Sequence, residues 1–541
     1  MRRAAAPAAW AACALATALA AGGCTGPPAA AGGPDGILTS SWGDPQNPLE
    51  PANTNEVQGG KVLDMVFRGL KRYDPRTGRA QDMVAKSITT TDARTFTVTL
   101  QPGWTFSDGE PVTARSFTDA WNYAAHVDNV QNNAPFFADI EGYDEVHPAD
   151  GKARAKTMRG LKATGERTFT ATLTGAYPAW PDTLGYQAFL PLPRSFFTDH
   201  DAWLDKPVGN GPYRIASYAK GSGMKLRRWD GYRGPDRARN GGVDLTVYTD
   251  AGTAYTDLMA GNLDLVDDVP ATQLKFVRND LGDRYVNQPA LIIQTLAFPM
   301  YRKEWSRPGM EKVRRGLSMA IDREQITRRI YQRTRTPADD WTSPALGARG
   351  GYRALCGAAC RYDPAAARKL IAEGGGLPGG KVTLTSNVDT GSHRAWMDAV
   401  CHSVNRALGE RTACTVDPVG TFADFRNRTT SQRMTGPFRS GWQADYPLIQ
   451  NFLEPLYRTG GSSNHGDFTD RSFDRLVDAA NARRDPAAAV GDFHAAEAVL
   501  AEQMPAIPLW YQNGSAGWSE RLAGVTLNQF SVPVYDRITV L

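Results

Sequence analysis

Catalysis would require a nucleophile, a base and a stabilising group within mutual reach, or a metal held by clustered His and Cys side chains. The sequence supplies few candidates. It contains no His-Glu-x-x-His string and no Gly-x-Ser-x-Gly elbow. Gly375 to Lys381 approaches the spacing of a phosphate-binding loop, but Val382 stands where Ser or Thr is required and Pro378 interrupts the run. The following "KVTLTS" reads as a strand, whereas phosphate capture needs the start of a helix there. Asp267 and Asp268 are adjacent carboxylates, and two chain neighbours carry no geometry for glycoside chemistry. A secreted hydrolase is therefore disfavoured, and neither a metal nor a cofactor is expected.

Cysteine is the other reactive residue type. Of six cysteines, Cys13 lies in an apolar N-terminal run and Cys24 closes it, leaving Cys356, Cys360, Cys401 and Cys414. Four cysteines allow three pairings. In an oxidising compartment disulfides are the default, and short separations favour Cys356 with Cys360 and Cys401 with Cys414. A zinc site is the weaker alternative, because Cys401 falls in a helix-like stretch and Cys414 in a strand-like one.

The compartment is read from the first two dozen residues. Arg2 and Arg3 precede an Ala-rich run from Ala8 to Ala21 and then small residues, the pattern of a secretory signal peptide over 1–23. The run is too short to span a bilayer. Its end, "LAAGGC", looks like a bacterial lipobox, which implies an acylated Cys24, although Ala21 stands where such sites prefer Leu. The paired arginines do not continue into a twin-arginine motif, so the export route stays open. Residues 24–36, rich in Pro, Ala and Gly, predict a flexible lipid-anchored tether on the outer face of the cell membrane.

Elements to position a site follow from Ile37. "RTFTVTLQ" from Arg94 and "RTFTATLT" from Arg167 alternate as strands do. Helical periodicity marks Glu311 to Ile330, Pro364 to Glu373, His393 to Leu408, Ser472 to Ala482 and Pro486 to Glu502. Strands and helices mix without regular alternation, which predicts an α and β protein of several lobes, as 541 residues also suggest. With 61 basic and 57 acidic residues interspersed, nucleic acid is not an implied partner.

Five ordered strings carry a resemblance: "WTFSDGEPVTARSFTDAW" from Trp104, "PVGNGPYRI" from Pro207 with "WDGYRG", "AGNLDLV" from Ala260, "VRRGLSMAIDREQI" from Val313, and "GWQADYP" from Gly441 leading to "FTDRSFDRLVDAA". Together they resemble the peptide- and nickel-binding solute-binding proteins of ATP-binding-cassette importers, family 5, most nearly the oligopeptide-binding branch. The resemblance implies an α/β periplasmic-binding-protein-like fold of type II, cluster C, with two lobes around a cleft and an additional domain. Lobe I would comprise 37–62, 188–290 and 512–541, the extra domain 63–187, and lobe II 291–511. It also implies a short peptide ligand, permease subunits with their ATPases as partners, and a monomeric binding protein without enzymatic activity.

A peptide offers an ammonium, a carboxylate and repeating main-chain groups, so a binder indifferent to side chains needs a fixed carboxylate, a basic group and an extended edge. The resemblance assigns the ammonium to Asp445, main-chain pairing to Gly441, Trp442 and Gln443 on one side and to Asn55, Glu56 and Val57 on the other, and the ligand carboxylate to Arg439. His393 falls on a His of similar role for ligands of another length, though a His at a helix start also serves as a cap. Gln443 replaces a Cys found in some relatives. Trp442, Phe136 and Phe137 could line side-chain pockets. Nickel chelates or oligosaccharides remain alternative ligands of the same fold.

Overall fold

A computed structural model describes residues 32–541 except 271 and 389–392. The expected signal segment, Cys13 and Cys24 lie outside the described residues. The last part of the expected tether is already held by the fold: the Gly33 amide donates to the Val540 carbonyl at 2.8 Å, and Asp35 pairs with Arg228 at 2.6 Å.

The main sheet runs through the whole molecule. Its strands lie side by side in the order Cys414–Val419, Val382–Asn387, Phe438–Gln443, Tyr285–Ala297, Ala506–Trp518, Leu265–Val266, Ile37–Trp42, Gly242–Val247, Gly223–Arg228 and Tyr213–Ala219. The two 13-residue strands at its centre pair antiparallel from Tyr285 opposite Gly517 to Ala297 opposite Ala506. Their register breaks between Pro289 and Ile293, where a proline without an amide proton interrupts the ladder. On one side of that break a large core gathers side chains from Leu38 to Leu265 and from Ala516 to Val540. On the other, a second large core gathers those from Leu296 to Trp510.

The two alternating "RTFT" runs form the strands Thr95–Leu100 and Thr168–Thr172, and they pair with each other within a separate four-stranded antiparallel sheet. Each strand sends Phe96 or Phe169 inward against Trp180, Trp121 and Phe117. Although the 63–187 segment has its own sheet, these side chains are continuous with the first large core. Phe137, a candidate pocket residue, belongs to that core and is fully buried, stacked near Trp121 and Phe189.

The helix expected over Glu311 to Ile330 is two helices, Met310–Met319 and Arg323–Tyr331. Asp322 separates them because its side chain accepts the Gln325 amide at 2.9 Å and starts the second helix. The turn is pinned from within: Arg323 is buried and donates to the carbonyls of Pro508, Ser318 and Cys360 at 2.8 to 3.1 Å. Burial lowers the pKa of Arg323 to about 9, so it stays charged at neutral pH.

Disulfides join Cys356 to Cys360 and Cys401 to Cys414. The second ties the helix His393–Leu408 to the strand Cys414–Val419. A bridge closing a loop of this size restricts the unfolded chain by about 3 kcal/mol in the chain-entropy account. The double substitution Cys401→Ala with Cys414→Ala should therefore lower unfolding free energy by about 2–3 kcal/mol, read from denaturant titration without reductant. Wild type treated with reductant should move by a similar or larger amount.

Candidate functional site

The site begins with an incomplete strand. Phe438–Gln443 pairs along its full length with the Tyr285–Ala297 strand, but on its other side meets Val382–Asn387 only at Phe438. The Ala444 amide donates to the Leu291 carbonyl at 2.9 Å, so the antiparallel alternation turns Ala444, Trp442 and Ser440 toward the sheet. Arg439, Gly441 and Gln443 consequently direct their main-chain groups to the open edge. Such an edge is a template for an added strand. Gly441 lacks the side chain that would crowd Gln294, its cross-strand neighbour, and Arg439, whose guanidinium lies over it.

The edge leads into a cavity of about 250 Å³. Gln443 and Asp445 line it from one stretch of chain, and Asn55, Glu56 and Val57 from another. Tyr186 and Phe530 complete the wall around Asp445. The two stretches named as main-chain partners thus share one cavity.

Asp445 is held by a reciprocal pair of bonds with Asn451. Its amide donates to Asn451 Oδ1 at 2.8 Å, and Asn451 Nδ2 donates to Asp445 Oδ2 at 3.1 Å. The Tyr186 hydroxyl, which donates to Asn133 Oδ1 at 3.4 Å, lies near the same carboxylate. Desolvation outweighs these bonds and raises the Asp445 pKa to about 6. Among the described residues, no cationic side chain contributes to its stabilisation. The cations that line the cavity are occupied elsewhere. Arg68 pairs with Asp236 at 2.7 Å, Arg72 with Asp536 at 2.8 Å, and Lys71 with Asp82 at 2.8 Å.

Arg439 lies on the Phe438–Gln443 strand, and Asp445, six residues on, follows the strand's end. Arg439 does not line the cavity around Asp445; its guanidinium sits 5.9 Å from the centre of the Phe422 ring. Trp442 points its indole N–H at Asn451 Oδ1, 3.3 Å away, and so braces the residue that holds Asp445. Phe136 packs on Tyr186 with ring centres 4.5 Å apart, behind the cavity. His393, expected from the resemblance to serve ligands of another length, sits elsewhere. It is buried at the start of its helix, accepts the Trp396 indole N–H at Nδ1 over 2.9 Å, and does not line the cavity.

Sequence reasoning missed Tyr186, Tyr73, Gln529 and Phe530 as wall residues, and Asn451 as the partner of Asp445. Most belong to segments far from the Asp445 string, and their local patterns are those of ordinary turns and strands. The ordered motifs, in contrast, act as scaffold. In "PVGNGPYRI", Asn210 exchanges two 2.9 Å bonds with the main chain of Arg68. A Cβ at Gly209 would stand 2.2 Å from the Val66 carbonyl oxygen, so glycine is required for this approach. In "AGNLDLV", buried Asp264 accepts the Thr39 amide at 3.0 Å and pairs with Arg521 at 2.9 Å.

The fold and the cavity at the strand edge are those of a solute-binding protein. The model for bacterial extracellular solute-binding proteins, family 5 middle, matches residues 80–464, and the chain belongs to this family. It is 23% identical over 496 residues to the oligopeptide-binding protein OppA of Bacillus subtilis (strain 168), covering 88% of each chain. It is likewise 23% identical over 503 residues to the dipeptide-binding protein DppE of the same organism, covering 90% of this chain and 89% of that protein. The solved structure of the Escherichia coli murein tripeptide binding protein MppA superposes with a TM-score of 0.77 at 21% identity, over 93% of this chain and 98% of that one. The fold is thus that of the type II solute-binding proteins.

The charge on Asp445 is costly in the empty site. Its folded pKa of about 6 exceeds the ordinary 3.8, so the associated stability is present at low pH and is lost as pH rises through about 6. The deficit at neutral pH is on the order of 3 kcal/mol. Asp445→Asn should raise the stability of the unliganded protein at pH 7 by about 1–3 kcal/mol, measured by thermal or urea unfolding. The gain should vanish near pH 4.

Proposed function

We propose that this protein captures short peptides in the interlobe cleft, from the outer face of the membrane where an acylated Cys24 anchors it, and delivers them to an ATP-binding-cassette importer. The observation that carries this reading is the open edge of Phe438–Gln443 ending beside a carboxylate that has no cationic partner. A strand edge pairs with any peptide backbone regardless of sequence, and the carboxylate fixes where the chain begins. Arg439 is assigned to the ligand carboxylate, because a guanidinium fork matches it. Gly441 and Gln443 on one side and Asn55, Glu56 and Val57 on the other hold the main chain between. The names of the relatives, binders of oligopeptides, dipeptides and a murein tripeptide, support the ligand class.

The ligand is enclosed from both sides, so entry and release require the lobes to part. The hinge is assigned to the register break between Pro289 and Ile293, where the central strands are least constrained. Transport energy comes from the importer's ATPases, which this chain does not contain.

Calorimetry of the unliganded protein with mixed tripeptides, set against nickel with free histidine, tests the ligand class. Binding of the nickel complex alone would remove peptides as the cargo. Asp445→Ala should weaken tripeptide binding by roughly 2 to 5 kcal/mol, since it leaves an ammonium unpaired in a closed site. An unchanged dissociation constant contradicts the assignment.

The pH dependence has a definite sign. Pairing with an ammonium lowers the Asp445 pKa below its free value of about 6, so affinity should fall by up to tenfold per unit as pH drops below 6. Above roughly pH 8 the ligand ammonium itself loses its proton and affinity should fall again. Titrations between pH 4.5 and 9 should therefore trace a plateau bounded on both sides, and a monotonic profile would contradict it.

A further inference from the structure

Positive charge is concentrated where the chain enters the fold. Between Tyr213 and Val247 stand eight basic residues against three acidic ones, an excess of five in a protein whose net charge is +4. Each of those three carboxylates is already taken: Asp230 pairs with Arg228 at 2.9 Å, Asp236 with Arg68 at 2.7 Å, and Asp244 with Arg227. Arg214, Lys220, Lys225, Arg233, Arg237 and Arg239 are exposed, and among the described residues they form no ion pair with a carboxylate.

The sheet edge and the loop after it gather these cations on one side. In the antiparallel strands Tyr213–Ala219 and Gly223–Arg228, the side chains of Tyr213, Ile215, Met224 and Leu226 enter the first large core, so alternation turns Arg214, Lys225 and Arg227 to the opposite face. Arg214 stands directly opposite Arg227 in the register. In the loop that follows, Arg233 and Arg237 each aim a guanidinium N–H at the same Asp230 carbonyl, 3.4 Å away in both cases. Two like charges thus meet over one neutral oxygen, and a phosphate accepting from both would relieve their repulsion. The tether joins the fold at this loop: Arg228 donates to the Pro34 carbonyl and pairs with Asp35, both at 2.6 Å, and the Gly241 amide donates to the Gly36 carbonyl at 2.8 Å. The carboxylates beside the entry are Asp35 and Asp230, both on Arg228, and that of the terminal Leu541, which leaves the cations in excess. Cys24 precedes Gly33 by nine residues, at most about 30 Å of extended chain, so an acyl group at Cys24 would hold this face close to the bilayer.

We propose, resting on the lipid-anchored reading above, that the face built from Arg214, Lys225, Arg233, Arg237 and Arg239 docks on an anionic phospholipid surface. Arg233 and Arg237 take one headgroup phosphate, and the other cations add an attraction that falls off within a Debye length of the bilayer. The charges are spread over a strand face and a loop instead of converging on a closed pocket, which matches a layer of many headgroups and not one small anion. A flexible tether alone permits any orientation within its reach. Cations gathered on one side select the orientation that sets the edge strand Tyr213–Ala219 and its neighbouring loop against the membrane.

The test uses the full chain carrying Cys24→Ser, which removes the acylation site, and measures co-sedimentation with vesicles of phosphatidylcholine alone or with about 30% phosphatidylglycerol. The ratio of the two partition coefficients should be roughly tenfold or more at about 0.05 M salt and should collapse near 0.5 M. Adding Arg233→Glu with Arg237→Glu should lower that ratio at least about fivefold. Lys152→Glu with Lys156→Glu, an equal charge reversal at two exposed residues of another segment, should leave it nearly unchanged. Comparison between variants cancels whatever residues 1–32 contribute, because all of them share that segment. If the arginine pair misfolds on reversal, judged by its melting curve, Arg233→Gln with Arg237→Gln should still lower the ratio, by a smaller factor. Absence of any preference for the anionic vesicles overturns the surface, and so does equal loss from both double reversals, which would mark a response to net charge alone. Calorimetric binding of inorganic phosphate without a vesicle preference assigns the arginine pair to a soluble anion and overturns it as well. Acyl labelling of Cys24 in the unsubstituted chain is scored separately: its absence overturns the lipid anchor, whereas the vesicle ratios decide the surface.

Discussion

The pairing of Tyr285–Ala297 with Ala506–Trp518 is the constraint on which the rest depends. These two strands pass from one large core to the other, and the break at Pro289 divides their ladder where the cores separate. Each core buries its own aromatic and aliphatic side chains, so neither needs the other to exclude water. The cleft follows from that independence: a polar ligand can occupy the space between two self-sufficient cores without exposing either. The open strand edge is a consequence too, because Phe438–Gln443 lies beside the crossing strand and has no partner for most of its outer side.

Charge is distributed in the cleft according to the same division. Cations in the wall are neutralised by aspartates brought from distant segments, with Asp236 and Asp536 serving both Arg68 and Arg72. Such networks fix side chains, since removing one partner would leave a buried charge uncompensated. Asp445 is the counter-case. Asn451 orients it without neutralising it, and the folded protein bears the cost of a desolvated anion. Stability is given up locally at this carboxylate, the trade expected of the ammonium-binding role proposed for it.

The ordered strings that carry the family resemblance are chiefly structural devices. Gly209 permits close passage of Val66, Asn210 clamps Arg68, Asp264 ties the first strand to Arg521, and Arg314 and Arg323 cap buried carbonyls. Only the last string, with Gly441, Gln443 and Asp445, reaches the ligand cavity or its edge. Recognition of the family therefore came mostly from residues that build the scaffold.

Sequence alone determined the local matters. Alternation placed the two "RTFT" strands, capping residues and periodicity placed four of the five helices, and short separation favoured the cysteine pairs that are found bonded. These depend on neighbours within a turn or two, which a linear string displays. It did not separate Met310–Met319 from Arg323–Tyr331, because that break is enforced by Arg323 reaching carbonyls 37 and 185 residues away as well as by the Asp322 cap. Nor did it disclose that His393 is buried against Trp396, or that Tyr186, Gln529 and Phe530 surround Asp445. Whether a carboxylate is paired or bare depends on desolvation and on charges set within a few ångströms by remote segments. Those distances exist only once both lobes have folded around the cleft.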